Sequence, residues 1–257
     1  MKTGGVFLSH VHGDHVFGIF GLMSTLSMSG RTDPLHIYAP EAFRAILDFF
    51  RGQFLERETY PIVFHPLVSD VPETVLEDAC MSVVAFPLVH RVPSYGYIFR
   101  EREPGLNVRK DAVSSLSLTR EEILSLKDGR DAVRSDGTIL EADVLTYRPY
   151  APRSFAYCSD TAVFDAFPDI VRGVDLLYHE ATFGDDCAGK AAEMYHSTAR
   201  QAGQTALKAG AGQLVIGHFS SRYKDPSVLL EQAREVFPNT ELGREGRQFE
   251  IPLKRQL

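Results

Sequence analysis

The stretch FLSHVHGDHVFGI, residues 7–19, places His10, His12, Asp14 and His15 within six positions and flanks them with apolar runs. Such side chains are costly to bury alone, because a polar group removed from water must recover its hydration from a hydrogen bond, a counter-charge or a metal ion. The residues before the cluster, GGVFLS, read as a short buried strand. Those after it, Val16 to Met28, form a glycine-punctuated apolar run long enough for a buried helix. The cluster therefore sits on a strand-to-helix turn.

The rest of the chain repeats that alternation. LHIYAP reads as a strand, EAFRAILDFF as an amphipathic helix and YPIVFHPL as another strand, while MSVVAFPLVH and YGYIF are consecutive strands flanking a break at Pro93. From Arg100 to Thr146 the texture changes to charged and weakly periodic, with a helix at TREEILSLK and a hairpin-like RSDGTIL. This section reads as an arm inserted at about 100–146 in a single domain spanning 1–257. SFAYCSD, VDLLYHE and QLVIGHF restore buried strands, and STARQAGQTALKAG between the last two has a Ser/Thr start, a helix-forming middle and a glycine stop. Strands alternating with helices and ending in ionisable side chains predict an α/β (α+β) class with its chemistry on loops at one end of the sheets.

In extended backbone, residues i and i+2 point the same way, so His10 and His12 can face one metal ion. Asp14 and His15, where the chain turns into the helix, project differently and suit a second ion close by. Four ligands cannot complete two coordination shells, so further ligands must lie at other strand ends. His90, Asp160 and His218 meet that demand. The resulting allocation is His10, His12 and His90 on one ion, Asp14, His15 and His218 on the other, and Asp160 bridging. Nitrogen and oxygen donors without sulfur suit two Zn²⁺ ions, or less selectively Mn²⁺. Two such ions roughly 3.5 Å apart activate a hydroxide at neutral pH. His36 and His65, in ordinary strand contexts, read as structural.

Composition removes several function classes. No apolar run approaches the roughly 18 residues of a membrane span and no signal-peptide pattern opens the chain, so the expectation is a cytoplasmic protein without membrane contact. Cys80, Cys158 and Cys187 lack the spacing of a disulfide framework or a thiolate metal site. With 27 basic against 34 acidic residues, the net charge of −7 argues against a broad basic face for nucleic acid. A polyanionic substrate would depend on local basic patches and on bound metal.

SHVHGDH resembles the HxHxDH signature of the metallo-β-lactamase superfamily, whose later motifs His90, Asp160 and His218 follow in order. YHEATF (178–183), HSTARQAG (196–203), IGHFSSRY (216–223) and GIFGL after the first motif narrow the resemblance, from about Gly4 to Arg222, to the ribonuclease Z family. That resemblance implies an αββα four-layer sandwich and a zinc-dependent endoribonuclease. Such an enzyme removes the 3′ trailer of precursor tRNA by metal-hydroxide attack, leaving a 3′-OH on the tRNA and a 5′-phosphomonoester on the trailer. It also implies a homodimer. By the same resemblance His196 protonates the departing ribose oxygen, Glu180 holds that imidazole charged and aimed, and Asp14 both binds metal and orients or deprotonates the attacking water. Ser220, Ser221 and Arg222 read either as a phosphate clasp or as a capped turn with a surface arginine.

Two features depart from the family. The section from Arg100 to Asp143 lacks the Gly-Pro-rich tip, and Arg100, Arg102, Arg109 and Lys110 are interleaved with Glu101, Glu103 and Asp111. A shortened arm is expected, either a solvated mixed-charge face or an RNA clamp. The HxHxDH motif also lies nine residues after Met1, where family members have several strands, so an omitted upstream segment is favoured over a sheet lacking its first strands. The acidic charge keeps open a di-zinc phosphodiesterase or hydrolase for small substrates. A non-catalytic, metal-bound RNA-binding protein is the remaining alternative.

Overall fold

The structure is a computed structural model that describes residues 3–55 and 58–255. Met1, the reference point for the expected upstream segment, and the two ends of the expected 1–257 domain lie outside the described residues. The chain divides into two compact units. One comprises the chain up to Phe99 together with Ser154–Gln248, the other Arg100–Arg153 with the C-terminal segment from Phe249.

The first unit begins with β1 (Gly5–Phe7), α1 (Gly13–Met28), β2 (Leu35–Pro40), α2 (Phe43–Phe54), β3 (Ile62–Leu67), β4 (Glu73–Glu77), β5 (Met81–Leu88) and β6 (Ser94–Glu101). The second unit holds β7 (Asn107–Val108), α3 (Lys110–Ser115), α4 (Arg120–Lys127), β8 (Ala132–Val133), β9 (Ile139–Leu140), α5 (Ala142–Leu145) and β10 (Thr146–Tyr147). The first unit then resumes with β11 (Ser154–Cys158), α6 (Phe167–Ile170), β12 (Leu176–Glu180), α7 (Ala188–Glu193), α8 (Ala199–Ala209), β13 (Gln213–Gly217), α9 (Ser227–Arg234) and β14 (Thr240–Leu242).

Two sheets and two helical layers make the first unit an αββα sandwich. One sheet has the order β1-β2-β3, all parallel, and the other β14-β13-β12-β11-β6-β5-β4. In the larger sheet β11 to β14 run parallel and β4 pairs antiparallel with β5. Val16, Ile19, Met23 and Leu26 recur every three or four residues, so α1 buries one stripe, and with Phe43 and Leu47 of α2 it covers the outer face of the smaller sheet. Leu67, Val83, Ala85, Tyr95 and Tyr97 fill the space between the sheets. On the far side α6, α8 and α9 pack on the larger sheet through Phe167, Ala202, Ala206 and Leu229. Helix α8 is bounded as its sequence predicts: a Thr198–Gln201 capping box starts it and Gly210, at φ 64, ends it. Gly203 lets α9 come close, because a Cβ there would lie 2.8 Å from the Ala233 carbonyl oxygen.

The inter-sheet core also fixes the approach to the histidine cluster. The Leu8 N–H donates to the Tyr38 carbonyl at 2.8 Å and the Tyr95 N–H to the Ser9 carbonyl at 2.9 Å. The buried Tyr97 hydroxyl donates to the Leu8 carbonyl at 2.6 Å. Both sheets therefore grip the two residues ahead of His10, which keeps that side chain from drifting with its loop.

The second unit has its own small core of Leu126, Ala132, Leu140 and Ala142. Thr119 and Glu122 form a capping box at α4, and Arg134 pairs with Glu122 at 2.8 Å. The RSDGTIL segment is the hairpin β8–β9, with Gly137 at φ 86 in its turn. Of the arginines expected in an RNA clamp, Arg109 instead donates to the Val144 carbonyl at 3.2 Å and lies over the Tyr147 ring.

Several short elements fall outside the sequence reading, β7, β10, α3, α5, α6 and α7 among them, and so do the edge strand β4, whose ends carry exposed glutamates, the three-residue β14, and α9. Helix α1 begins at Gly13, three residues ahead of the predicted apolar run, so Asp14 and His15 are on its first turn.

Candidate metal centre

The residues of the predicted cluster arrive from strand ends of both sheets and from the first turn of α1. His10 and His12 follow β1, with His12 extended at φ −72, ψ 145 as the residue capping α1. His90 follows β5, Asp160 follows β11, His218 follows β13, and Glu180 is the last residue of β12. His196 precedes α8.

Asp160 lies at the centre. Its Oδ2 is 3.7 Å from His10 Nε2, 3.7 Å from His15 Nε2 and 3.8 Å from His90 Nε2, while its Oδ1 is 3.3 Å from His218 Nε2. His12 Nδ1 is 3.0 Å from His10 Nε2, and Asp14 Oδ2 is 3.6 Å from His15 Nε2. The donor atoms fall into two sets, His10, His12, His90 and Asp160 in one and Asp14, His15 and His218 in the other, each within 4.8 Å of one another. The grouping coincides with the allocation read from the sequence, with Asp160 facing both sets. A third set, Asp160, His196 and His218, overlaps the second.

The donors fit a divalent cation on three counts. His90 Nδ1 is 3.0 Å from the Tyr195 carbonyl, which only accepts, so the proton is on Nδ1 and Nε2 presents a lone pair; that Nε2 is buried without a hydrogen-bond partner. Burial, reinforced by the neighbouring imidazoles, lowers His10 to about 3, and burial likewise lowers His15 and His90. Those three imidazoles therefore favour the neutral form that metal binding requires. Finally, the Asp160 side chain is 4% exposed and, among the described residues, meets no lysine or arginine. A buried carboxylate that meets no lysine or arginine calls for positive charge, which a bound cation supplies.

These shifts set the pH behaviour of the metal-free protein. Between about 3 and 6.5 the unfolded chain protonates His10 and the folded chain does not. Stability then rises with pH through that window and is fully present above it. Thermal unfolding of the chelated protein should show Tm falling steadily as pH drops from 6.5. A flat profile over that range would refute the assigned neutral cluster.

A second group adjoins the first. Glu180 is fully buried, and its Oε1 accepts from the Thr161 and Ser197 N–H groups at 3.1 Å and from His196 Nδ1 at 2.8 Å. Its Oε2 accepts from the Thr182 N–H at 2.9 Å and from the Thr182 hydroxyl at 2.7 Å. For His196, burial works against the charged form, but the hydrogen bond and the negative charge of Glu180 outweigh it and raise the pKa. Because Thr182 gives its proton to Glu180, its Oγ1 accepts from His218 Nδ1 at 2.8 Å, which leaves His218 Nε2 facing Asp160. One carboxylate thus orients both His196 and His218.

Backbone strain concentrates here as well. His218 and Tyr195, both at φ 58, are two of the three non-glycine residues with positive φ among the described residues. The first aims its imidazole at Asp160; the second turns its carbonyl onto His90.

A pocket of about 230 Å³ opens over the cluster, and its walls include Asp14, His15, His196 and His218 together with Arg91 and Met194. Ser220, Ser221 and Arg222 are not among the described residues of those walls. Ser220 donates its N–H to the Thr182 carbonyl at 3.0 Å, Ser221 is exposed, and Arg222 contacts the Cys187 sulfur and lies over the Phe183 ring. His36 and His65 pair with each other at 2.9 Å across β2 and β3, apart from the centre. Sequence reasoning missed Thr182, Tyr195 and Arg91. Thr182 carried a signal, two residues after Glu180 in YHEATF, whereas a carbonyl such as that of Tyr195 leaves no mark in a side-chain pattern.

Comparison with known proteins follows the same lines. Residues 4–103 match the family model of the metallo-beta-lactamase superfamily. The chain is 42% identical over 241 residues to a ribonuclease Z of Bacteroides fragilis, covering 94% of this chain and 79% of that protein. It is 39% identical over 246 residues to a ribonuclease Z of Porphyromonas gingivalis, covering 96% and 81%. The crystal structure of human tRNase Z, short form, superposes with a TM-score of 0.65 at 24% identity over 97% of this chain and 79% of that one, a likeness of fold.

Proposed function

The chain belongs to the ribonuclease Z family within the metallo-β-lactamase superfamily, and from that premise we propose that it removes the 3′ trailer of precursor tRNA. It is a metal-dependent hydrolase acting as an endoribonuclease. The cut leaves a 3′-OH on the tRNA and a 5′-phosphate on the trailer. The observation that carries this reading is the placement of Asp160 between two ligand sets, with the Glu180–His196 pair in contact with the same pocket.

His10, His12 and His90 would hold one ion and Asp14, His15 and His218 the other, with Asp160 shared. Two Zn²⁺, or Mn²⁺, held there would supply Lewis acidity toward a phosphoryl oxygen and would lower the pKa of water toward about 7. Asp14, whose side chain is 79% exposed at the pocket wall, orients the attacking water and accepts its proton. His196, kept protonated by Glu180, delivers a proton to the departing ribose 3′ oxygen, which leaves badly as an alkoxide. Ser220, Ser221 and Arg222, on the loop after His218, contact the strand beyond the pocket.

We place the protein in the cytoplasm on the strength of its proposed tRNA substrate; among the described residues no helix is long and apolar enough to cross a membrane. Phe17 and Met28 on α1 and Phe49 and Phe54 on α2 are exposed, which fits burial against a second copy in a homodimer. Sedimentation velocity should return the mass of two chains; a monomer at micromolar concentration would exclude it.

Incubation of the zinc- or manganese-loaded protein with a tRNA carrying a 3′ trailer should release the trailer at a single position. No cleavage beside an active control would reject the proposal. The net charge of −7 favours a second reading, a phosphodiesterase for small substrates. Turnover of bis-p-nitrophenyl phosphate, unaffected by added tRNA, would select it.

A further inference from the structure

Arg91 follows the ligand His90 and stands in the wall of the metal pocket, exposed to solvent. Its Nη2 lies 2.7 Å from the sulfur of Met194, across the pocket wall. A thioether is a weak acceptor and carries no charge, so this contact holds the guanidinium without neutralising it. Several arginines elsewhere in the chain behave differently. Arg51, Arg134 and Arg200 each meet a carboxylate oxygen, at 2.8, 2.8 and 2.7 Å. Arg91 meets none among the described residues, in a chain whose acidic side chains outnumber its basic ones 34 to 27.

The other ionisable walls of the pocket are imidazoles and the carboxylates Asp14 and Asp160. A phosphodiester entering it brings more negative charge toward those carboxylates, and Arg91 is the guanidinium available to receive it. Arg91 and His196 line the same pocket, which puts the guanidinium within reach of a phosphate whose ribose oxygen departs toward His196. A planar guanidinium with free N–H groups matches two phosphate oxygens at once.

We propose that Arg91, steadied by Met194, grips non-bridging phosphate oxygens of the RNA strand at the cleavage site and so positions the scissile linkage beneath His196. This assignment rests on the ribonuclease reading above and adds a substrate contact to it.

The test compares wild type, Arg91→Ala and Arg91→Lys, all metal-loaded, on a precursor tRNA and on the same RNA with a methylphosphonate at the scissile linkage, which is bound but not cut. Arg91→Ala should lower kcat/KM roughly 10- to 100-fold. Metal content and Tm should stay at wild-type values, and the slope of log affinity against log salt should weaken by about 0.7, one single-strand phosphate contact. Arg91→Lys should restore the slope but only part of kcat/KM, since a point charge replaces a fork. An affinity loss that persists on the methylphosphonate RNA places the contact on a neighbouring phosphate; one that vanishes places it on the scissile phosphate. Cleavage by Arg91→Ala within about twofold of wild type, with an unchanged salt slope, overturns the assignment. A wild type that hydrolyses bis-p-nitrophenyl phosphate yet neither binds nor cuts the precursor overturns the ribonuclease reading itself, and Arg91 with it.

Discussion

His196→Ala is expected to slow trailer cleavage about 10²–10⁴-fold at neutral pH, the range for losing a positioned general acid, while both metal ions remain bound. The ribose 3′ oxygen then departs without a proton, and nothing else among the described residues pairs with Glu180 as His196 does, at 2.8 Å. Glu180→Gln provides the sharper diagnosis. Its carboxylate raises the pKa of His196 against the opposing effect of burial. Activity that needs protonated His196 is lost as pH rises through that raised value, so removing the charge should move the alkaline limb of the rate profile to lower pH. A Glu180→Gln variant with an unmoved limb would contradict the assigned proton donor. A His196→Ala variant that has lost metal would instead make His196 a ligand, in the set it forms with Asp160 and His218.

Asp160→Ala should have the larger effect, a loss of more than about 10³-fold, because one carboxylate serves both ligand sets. Its removal leaves His10, His15, His90 and His218 facing a void, with Asp14 the one carboxylate left in the two sets to balance two divalent charges. Asp160→Asn keeps the shape and removes the charge, so it separates the two contributions. If charge dominates, Asn should be nearly as impaired as Ala. Activity within tenfold of wild type in either variant would mean that Asp160 does not join the two sets.

The local part of this centre was legible because it lies within a few residues of one turn. His10, His12, Asp14 and His15 share six positions, and the i, i+2 geometry of extended backbone already puts the first two on one side. His90, Asp160 and His218 were legible for a different reason: each ends an apolar run, and strand ends of one sheet converge. What stayed hidden depends on groups that apolar patterning does not register. The Tyr195 carbonyl fixes the tautomer of His90 through a left-handed backbone, and neither feature has a residue-type signature. Arg91 became meaningful only when its neighbour proved to be a thioether and not a carboxylate. In the fold, the helix start at Gly13 was missed because two polar residues, Asp14 and His15, interrupt the apolar pattern. Strand β4 was missed because an edge strand with glutamates at both ends lacks a continuous buried face.

The measurement closest to the central claim is elemental analysis of the purified protein after loading with zinc or manganese and removal of excess metal. Convergence of His10, His12, Asp14, His15, His90, Asp160 and His218 predicts two divalent ions per chain, both lost on acidification below the range in which the imidazoles stay neutral. A chain that retains no ion, or that keeps its metal unchanged in Asp160→Ala, would contradict it.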